Sequence, residues 1–412
     1  MKTIAIVGTF DSKGIEYKFI KDKIEELGCK TFTIHIGTFE PYFTPDITNA
    51  QICQEVNVDI KDLVAKNDRG SAVATLSKGL EKIIVKLYKA KKFDGIISLG
   101  GSGGTSMVSP AMRALPIGVP KIIVSTVASG NSEMYVGTSD LILMPSIVDV
   151  AGLNKISKVI FTNAILAIVG MVTLHDKVDI GENHAPLIAA SMFGVTTPCI
   201  NTAKAYLESQ GYEVLVFHCT GVGGKTMESL INSGLITGVL DLTTTEWCDQ
   251  LVGGILAAGE HRNEAAALNG VPNVVSVGAT DMVNYGPYET RPQEFLGRNF
   301  YKHNPTTTLM RTNVEECKAV GLKLAEKLNM SIKPATLFLP LKGVSMIDAQ
   351  GQPFYGPKED AVLFDTLKAN INNANVNIVE MNNNINDEEF ALACAKRLIE
   401  LIKAKEDENE GK

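Results

Sequence analysis

The chain reads as an α/β protein of two Rossmann-like domains, each a mainly parallel sheet flanked by helices. Three observations predict this. Short β-branched runs alternate with helical patterns along the sequence, the signature of helices layered on a parallel sheet. The rhythm restarts near Pro186, and 412 residues exceed what one hydrophobic core usually covers. An apolar share of 45% beside a charged share of 21% supplies material for two such cores.

In the first series, strands are expected over residues 3–7, 31–36, 95–99, 121–124 and 141–144. Between them, residues 13–27 place Phe19, Ile20, Ile24 and Leu27 on one helical face, and residues 71–91 do the same with Val73, Leu76, Leu80, Ile83, Ile84 and Leu87. The second series gives strands over 187–190, 213–217, 238–240, 273–277, 335–339 and 376–379. The boundary falls within 184–192, which divides the chain into two expected domains, 1–188 and 189–412. Residues 370–386 are rich in asparagine, and the charged tail 403–412 is expected to fray.

Composition removes several classes of function. A net charge of -7 with no basic block argues against a nucleic-acid partner. Seven scattered cysteines without a C-x-x-C pair argue against a zinc knuckle or a disulfide framework. The first apolar run, 4–8, has the length of a strand and not of a signal peptide's apolar region. The most apolar stretch, 160–172, carries Thr162 and Asn163 and reads as too short and too polar to span a bilayer. A cytoplasmic protein with no membrane partner is expected.

The chemistry lies in glycine-rich loops that directly follow strands. A strand that ends in glycines and feeds a helix leaves several backbone N–H groups unpaired at one point, and glycine lets an anion approach them closely. Residues 96–99 run into Gly100, Gly101, Ser102, Gly103, Gly104 and Thr105, and residues 214–217 run into Gly221, Gly223, Gly224 and Lys225. The two stretches echo each other, as an old duplication would or as one solution found twice. A further loop, Gly8 to Gly14, offers Thr9 and Ser12 as phosphate donors, Lys13 as a charge, and Asp11 as a helix cap or as a magnesium ligand through water. Thr126, Ser129 and Gly130 add small donors in a loop after the strand at 121–124. In a parallel sheet these loops share the carboxyl edge, where ligands settle.

Neither standard fingerprint is met. A P-loop ending in Gly224-Lys225-Thr226 requires glycine where Cys219 stands, and a dinucleotide motif starting at Gly101 requires glycine where Ser106 stands. One helix terminus contributes roughly 0.3–1 kcal/mol towards an anion. Micromolar binding needs about 8 kcal/mol, so several loops must converge with an apolar wall.

Taken together, the Gly8–Gly14 and Gly100–Thr105 loops, the run from Phe217 to Gly224 and the run from Val277 to Asn284 resemble the family formed by the ATP-binding domain of the tomato mosaic virus resistance protein and its uncharacterised bacterial relatives. The resemblance extends from Lys2 to about Ile402. It implies two Rossmann-like domains, ATP and Mg2+ bound mainly by the first, and a homodimer. It also implies alanine at the positions of Cys219 and Thr226, which marks the Lys225-Thr226 pair as local.

The second domain concentrates polar residues at strand ends and in loops. His218, Glu246, Arg262, Asp281 and Arg311 are the candidate catalytic residues, with Arg262 or Arg311 as a carboxylate clamp. Ligation or phosphoryl transfer from ATP to a small carboxylated or sugar-like metabolite is the reaction this set suggests. Two alternatives stand beside it. One is a non-catalytic, nucleotide-responsive interaction module. The other is a serine hydrolase or lactonase, because Gly100 to Gly104 satisfies G-x-S-x-G with Ser102 as nucleophile, Asp176 or Asp179 as the acid and His184 as the base.

Overall fold

The computed structural model describes residues 1–178 and 185–410 and divides into two units, Met1–Glu182 and Asn183–Lys412. The division lies upstream of the expected 188/189 cut because Leu187 and Ile188 already pair with the second unit's sheet.

The first unit contains β1 (Thr3–Gly8), β2 (Lys30–His35), β3 (Gly95–Gly100), β4 (Lys121–Ser125) and β5 (Ile142–Pro145), all parallel, in the order β2-β1-β3-β4-β5. Alternation along each strand sends side chains to opposite faces. Ala5, Val7, Ile96 and Ile123 meet the helices Arg69–Lys89 and Ser102–Arg113 on one face. Ile4, Ile6, Ile97 and Val124 meet the helices Gly14–Glu26 and Lys155–Leu174 on the other. Both faces are covered, as an all-parallel sheet requires.

The helix Lys155–Leu174 is longer than its most apolar stretch suggests. Its 20 residues are long and apolar enough to cross a membrane by length and composition, which corrects the expectation drawn from residues 160–172. Phe161, Ala164, Ile165, Ile168 and Val172 are nevertheless buried against the sheet, and that packing explains the apolar character of this one face.

The second unit runs through β6 (Leu187–Met192), β7 (Glu213–His218), β8 (Ile236–Thr243) and β9 (Asn273–Gly278), then β10 (Met282–Tyr285), β11 (Phe300–Asn304) and β12 (Thr307–Arg311), and finally β13 (Ala335–Pro340) and β14 (Val376–Met381). Six of these form a parallel sheet in the order β14-β13-β9-β8-β6-β7, the first unit's order with one strand added. The short antiparallel sheet β10-β12-β11 has no counterpart in the expected elements.

The common strand order settles the echo between the glycine loops. Gly100–Thr105 follows the third strand of its sheet, whereas Gly221–Gly224 follows the second strand of the other. The positions are not equivalent, so the likeness is one solution found twice. In each sheet the order reverses beside the first strand, between β1 and β3 and between β6 and β8. Helices leaving there diverge to opposite faces and open a crevice at the strands' carboxyl ends.

Candidate functional site

A cavity of about 590 Å³ lies at the β1/β3 reversal and brings together Thr9, Asp11, Ser12 and Lys13 with Gly101, Ser102, Gly103 and Gly104. Two loops from distant parts of the sequence thus face one space, and the braces beneath them are visible. Tyr17 passes under the end of β1, where a Cβ at Gly8 would fall 1.9 Å from its hydroxyl. That hydroxyl donates to the Leu99 carbonyl at 2.5 Å and accepts from the Leu99 N–H at 3.1 Å, tying the first helix to β3. Burial pushes the Tyr17 phenol up to about 12, so it stays protonated as this bridge requires. His35 at the end of β2 accepts from the Phe10 N–H at 3.2 Å through Nδ1, while Nε2 lies 2.9 Å from the Phe39 carbonyl. Burial holds its pKa down, which favours the neutral ring that can accept at one nitrogen and donate at the other.

The first helix after the glycines begins at Ser102 with Gly101 as its N-cap, and no side chain caps it. Its opening N–H groups therefore remain available at the cavity wall. Gly100 and Thr105 serve beneath them: Gly100 closes β3, and Thr105 pairs its hydroxyl with Ser125 at 2.6 Å. Thr126 donates its N–H to the Gly100 carbonyl at 3.2 Å. Ser129 and Gly130 are exposed in the following turn and do not line the cavity.

The charges are distributed differently from the expectation. Lys13 turns its ammonium to the Val150 carbonyl. Asp11 accepts from the Ser12 N–H at 2.7 Å and the Phe39 N–H at 3.0 Å, so it braces the loop and keeps further lone pairs for a ligand. The cation that sequence reading missed is Arg69. It opens the helix Arg69–Lys89, lines the cavity, and makes no ion pair or hydrogen bond among the described residues. A Cβ at Gly103 would fall 3.5 Å from its Nη2, which puts the guanidinium beside the helix N-terminus. Leu63, Val64, Val73 and Leu76 form an apolar wall opposite the loops.

The second glycine loop is already filled. Glu246, at the start of the helix after β8, accepts from the Gly221 N–H at 2.7 Å and the Gly224 N–H at 3.2 Å through one oxygen. A Cβ at Gly224 would fall 2.2 Å from the other oxygen, so glycine is what admits the carboxylate. An internal anion thus takes the N–H groups of Gly221 and Gly224, two of the four residues expected to meet a ligand here, while Gly223 and Lys225 make no contact with it. Arg262 holds that anion, with Nε 2.7 Å from Glu246, and grips Asp241 through both terminal nitrogens at 2.5 and 2.7 Å. Glu228 completes the cluster at 3.2 Å. Arg262 is only 1% exposed; burial alone would lower its pKa, but Asp241 and Glu246 hold it well above the usual value. It has no arm left for an acceptor.

Arg311 is committed in the same way. It donates to the Phe354 carbonyl at 2.7 Å, Asp360 at 2.8 Å and Asp348 at 3.2 Å. Asp281 accepts from Ser345 at 2.8 Å, and its other oxygen is buried without a partner. Burial foremost pushes Asp281 and Asp348 up to about 6, Asp249 to about 7 and Asp360 to about 8. Glu246, Arg262, Asp281 and Arg311 are therefore parts of the buried framework, while His218 is exposed and stacks on Phe193 at 5.3 Å. The hydrolase geometry is not favoured either. Ser102 sits in an ordinary helical first turn without the strained, positive φ of a nucleophile elbow. Asp179 and His184 lie outside the described residues, as does the side chain of Asp176.

Fold and cavity together define a two-unit α/β protein with a crevice at a strand-order reversal. Residues 2–177 match the N-terminal domain and residues 185–402 the C-terminal domain of the Uncharacterised protein family (UPF0261), and the chain belongs to that family. A UPF0261 protein of Clostridium tetani is 54% identical over 97% of this chain and 99% of its own. A UPF0261 protein of Mesorhizobium japonicum is 43% identical over 96% and 98%. A ToMV resistance protein of Solanum lycopersicum is 46% identical over 81% of this chain but only 45% of its own length. A putative UDP-N-acetylglucosamine 2-epimerase structure from Listeria monocytogenes, covering 99% of this chain and 97% of its own, reaches a TM-score of 0.24 at 11% identity and carries no argument.

Removing the charge of Arg262 strands three buried carboxylates. Arg262→Met is expected to cost about 3–5 kcal/mol, read as a fall in the urea midpoint followed through Trp247, the single tryptophan, which packs in the second unit's core. The raised aspartates give a pH dependence of definite sign. Their folded values exceed the ordinary 3.8, so the folded state binds protons that the unfolded state releases. Stability of the second unit should fall as pH rises from about 4 to about 8 and level off beyond. Asp360→Asn, which can still accept from Arg311, should flatten the decline between about pH 6 and 8 in the same urea measurement.

Proposed function

We propose that the first unit binds a magnesium nucleotide, with ATP as the ligand, in the crevice between the Thr9–Lys13 loop and the Gly101–Gly104 loop. The observation that carries this reading is the uncapped helix N-terminus with the unpaired Arg69 guanidinium beside it, both lining a cavity with an apolar wall. Backbone N–H groups and a guanidinium suit phosphate oxygens, and Arg can contact them bidentately. Leu63, Val64, Val73 and Leu76 offer the opposite surface to a base. About 590 Å³ is within the ordinary range for a small-molecule site.

Magnesium fits this site through Asp11. The described residues contain no cluster of three or more ligating side chains. Magnesium commonly relies on one or two carboxylates, retained waters and the substrate's own phosphates, which is what Asp11 beside a triphosphate would supply. The metal would neutralise phosphate charge; Asp11 would orient it, and Arg69 would balance the remainder.

Arg262 and Arg311, the expected carboxylate clamps, are locked in internal ion pairs. This favours a nucleotide-responsive module over a ligase or phosphotransferase. A homodimer is part of the same reading. Ile156, Val159, Leu166 and Leu174 form an exposed apolar stripe on one helix, 48–55% accessible.

Calorimetric titration with ATP and magnesium chloride should show saturable binding. Arg69→Ala should weaken it about tenfold, or ~1.4 kcal/mol, and more than Lys13→Ala does. Gly103→Val should abolish it without unfolding, since only the end of Arg69 lies within 4 Å of the new Cβ. No heat from the wild type, with folding intact, would overturn the reading. Separately, Leu166→Glu should convert a dimer to a monomer in sedimentation equilibrium; a wild-type monomer would remove the dimer from the proposal.

A further inference from the structure

The second unit holds a cavity of its own, about 620 Å³, at the carboxyl ends of β13 and β14. It lies away from the β6/β8 reversal and from the filled glycine loop, and none of the residues discussed as catalytic candidates lines it. Its floor is Asp360, 6% exposed. One oxygen of Asp360 accepts from Arg311 at 2.8 Å, and its carboxyl also hydrogen-bonds Asp348. Asp348 in turn accepts from the Val344 N–H at 2.9 Å and the Gly356 N–H at 3.2 Å, donors that favour its ionised form. Burial raises the pKa of Asp360, and with the backbone donors on Asp348, Asp360 is the member of the pair better placed to keep a proton and offer the cavity a hydrogen-bonding carboxyl.

The rest of the wall carries two ammonium groups and three carboxylates. Lys368 is satisfied by Glu380 at 2.8 Å and Asp365 at 3.1 Å. Lys342 and Asp387 stand as one cation and one anion. No excess of positive charge draws an anion here, in contrast to the first unit's cavity. The open valences are the Gln350 amide, the Tyr355 hydroxyl and the Lys342 ammonium, none of which has a side-chain partner among the described residues. Tyr355 and Phe364 add aromatic surface, and Tyr355 is 47% exposed.

We infer that this cavity is a second binding site, which takes a small, uncharged, polyhydroxylated ligand of the sugar class. Hydroxyl groups both donate and accept, which matches a wall of amide, phenol, ammonium and carboxyl. The C–H face of a sugar ring suits the Tyr355 ring, which supplies apolar contact without charge. The volume lies within the ordinary range for small-molecule sites. The site does not depend on nucleotide binding in the first unit.

The test is saturation-transfer NMR on the full chain with D-glucose, D-ribose and myo-inositol, beside acetate and inorganic phosphate as anionic probes. Transfer to at least one polyol, displaced by excess of the same compound, is expected from the wild type. Gln350→Ala and Tyr355→Ala, both at exposed positions, should each reduce the transfer at least severalfold at an unchanged melting temperature. Arg69→Ala should leave it intact. No transfer to any polyol, transfer undiminished in both variants, or transfer to the anions alone would each overturn the assignment.

Discussion

All strands of each main sheet run parallel, and from that constraint most of the molecule follows. Parallel strands need long crossovers, so helices cover both faces and every loop that leads from a strand into a helix lies on one edge. Where strand order reverses, between β1 and β3, successive helices leave for opposite faces and nothing covers the gap. The crevice is thus a product of topology. The side chains around it tune a space that the strand order had already opened.

The two glycine loops show how the same local chemistry reaches different ends. Each follows a strand, each opens a helix, and each presents backbone N–H groups at a point. In the first unit the helix N-terminus has no side-chain cap and faces a cavity. In the second, Glu246 reaches back from the end of the next strand and takes the N–H groups of Gly221 and Gly224. A buried carboxylate needs a cation, and Arg262 supplies it while also holding Asp241 and Glu228. The cradle that could have held a ligand's anion became an element of the core.

Much of the fold was legible. The eleven strands of the two parallel sheets were all foreseen, and their observed ends lie beyond the expected ones chiefly where polar or glycine residues such as Gly8, Gly100 and His218 still pair with a neighbour. The sheet β10-β12-β11 was not. Its strands are short, and β11 carries Lys302, His303 and Asn304 in a row, so it lacks the apolar run that marks the others. In the cavity, the two loops carry visible glycine and hydroxyl patterns. Arg69 looks like any exposed arginine at a helix start, and His35 like the end of a strand; only proximity distinguishes them.

The sequence by itself determined the layers, the strand-to-helix order and the supply of N–H donors at the glycine loops, because these depend on periodicity and backbone freedom, which act over a few residues. The tertiary structure alone decided which donors remain open. Glu246 is distant in sequence from the loop it fills, and Arg69 from the helix terminus it faces. Each buried or half-buried polar group seeks one partner of matching charge, and that partner can lie anywhere along the chain.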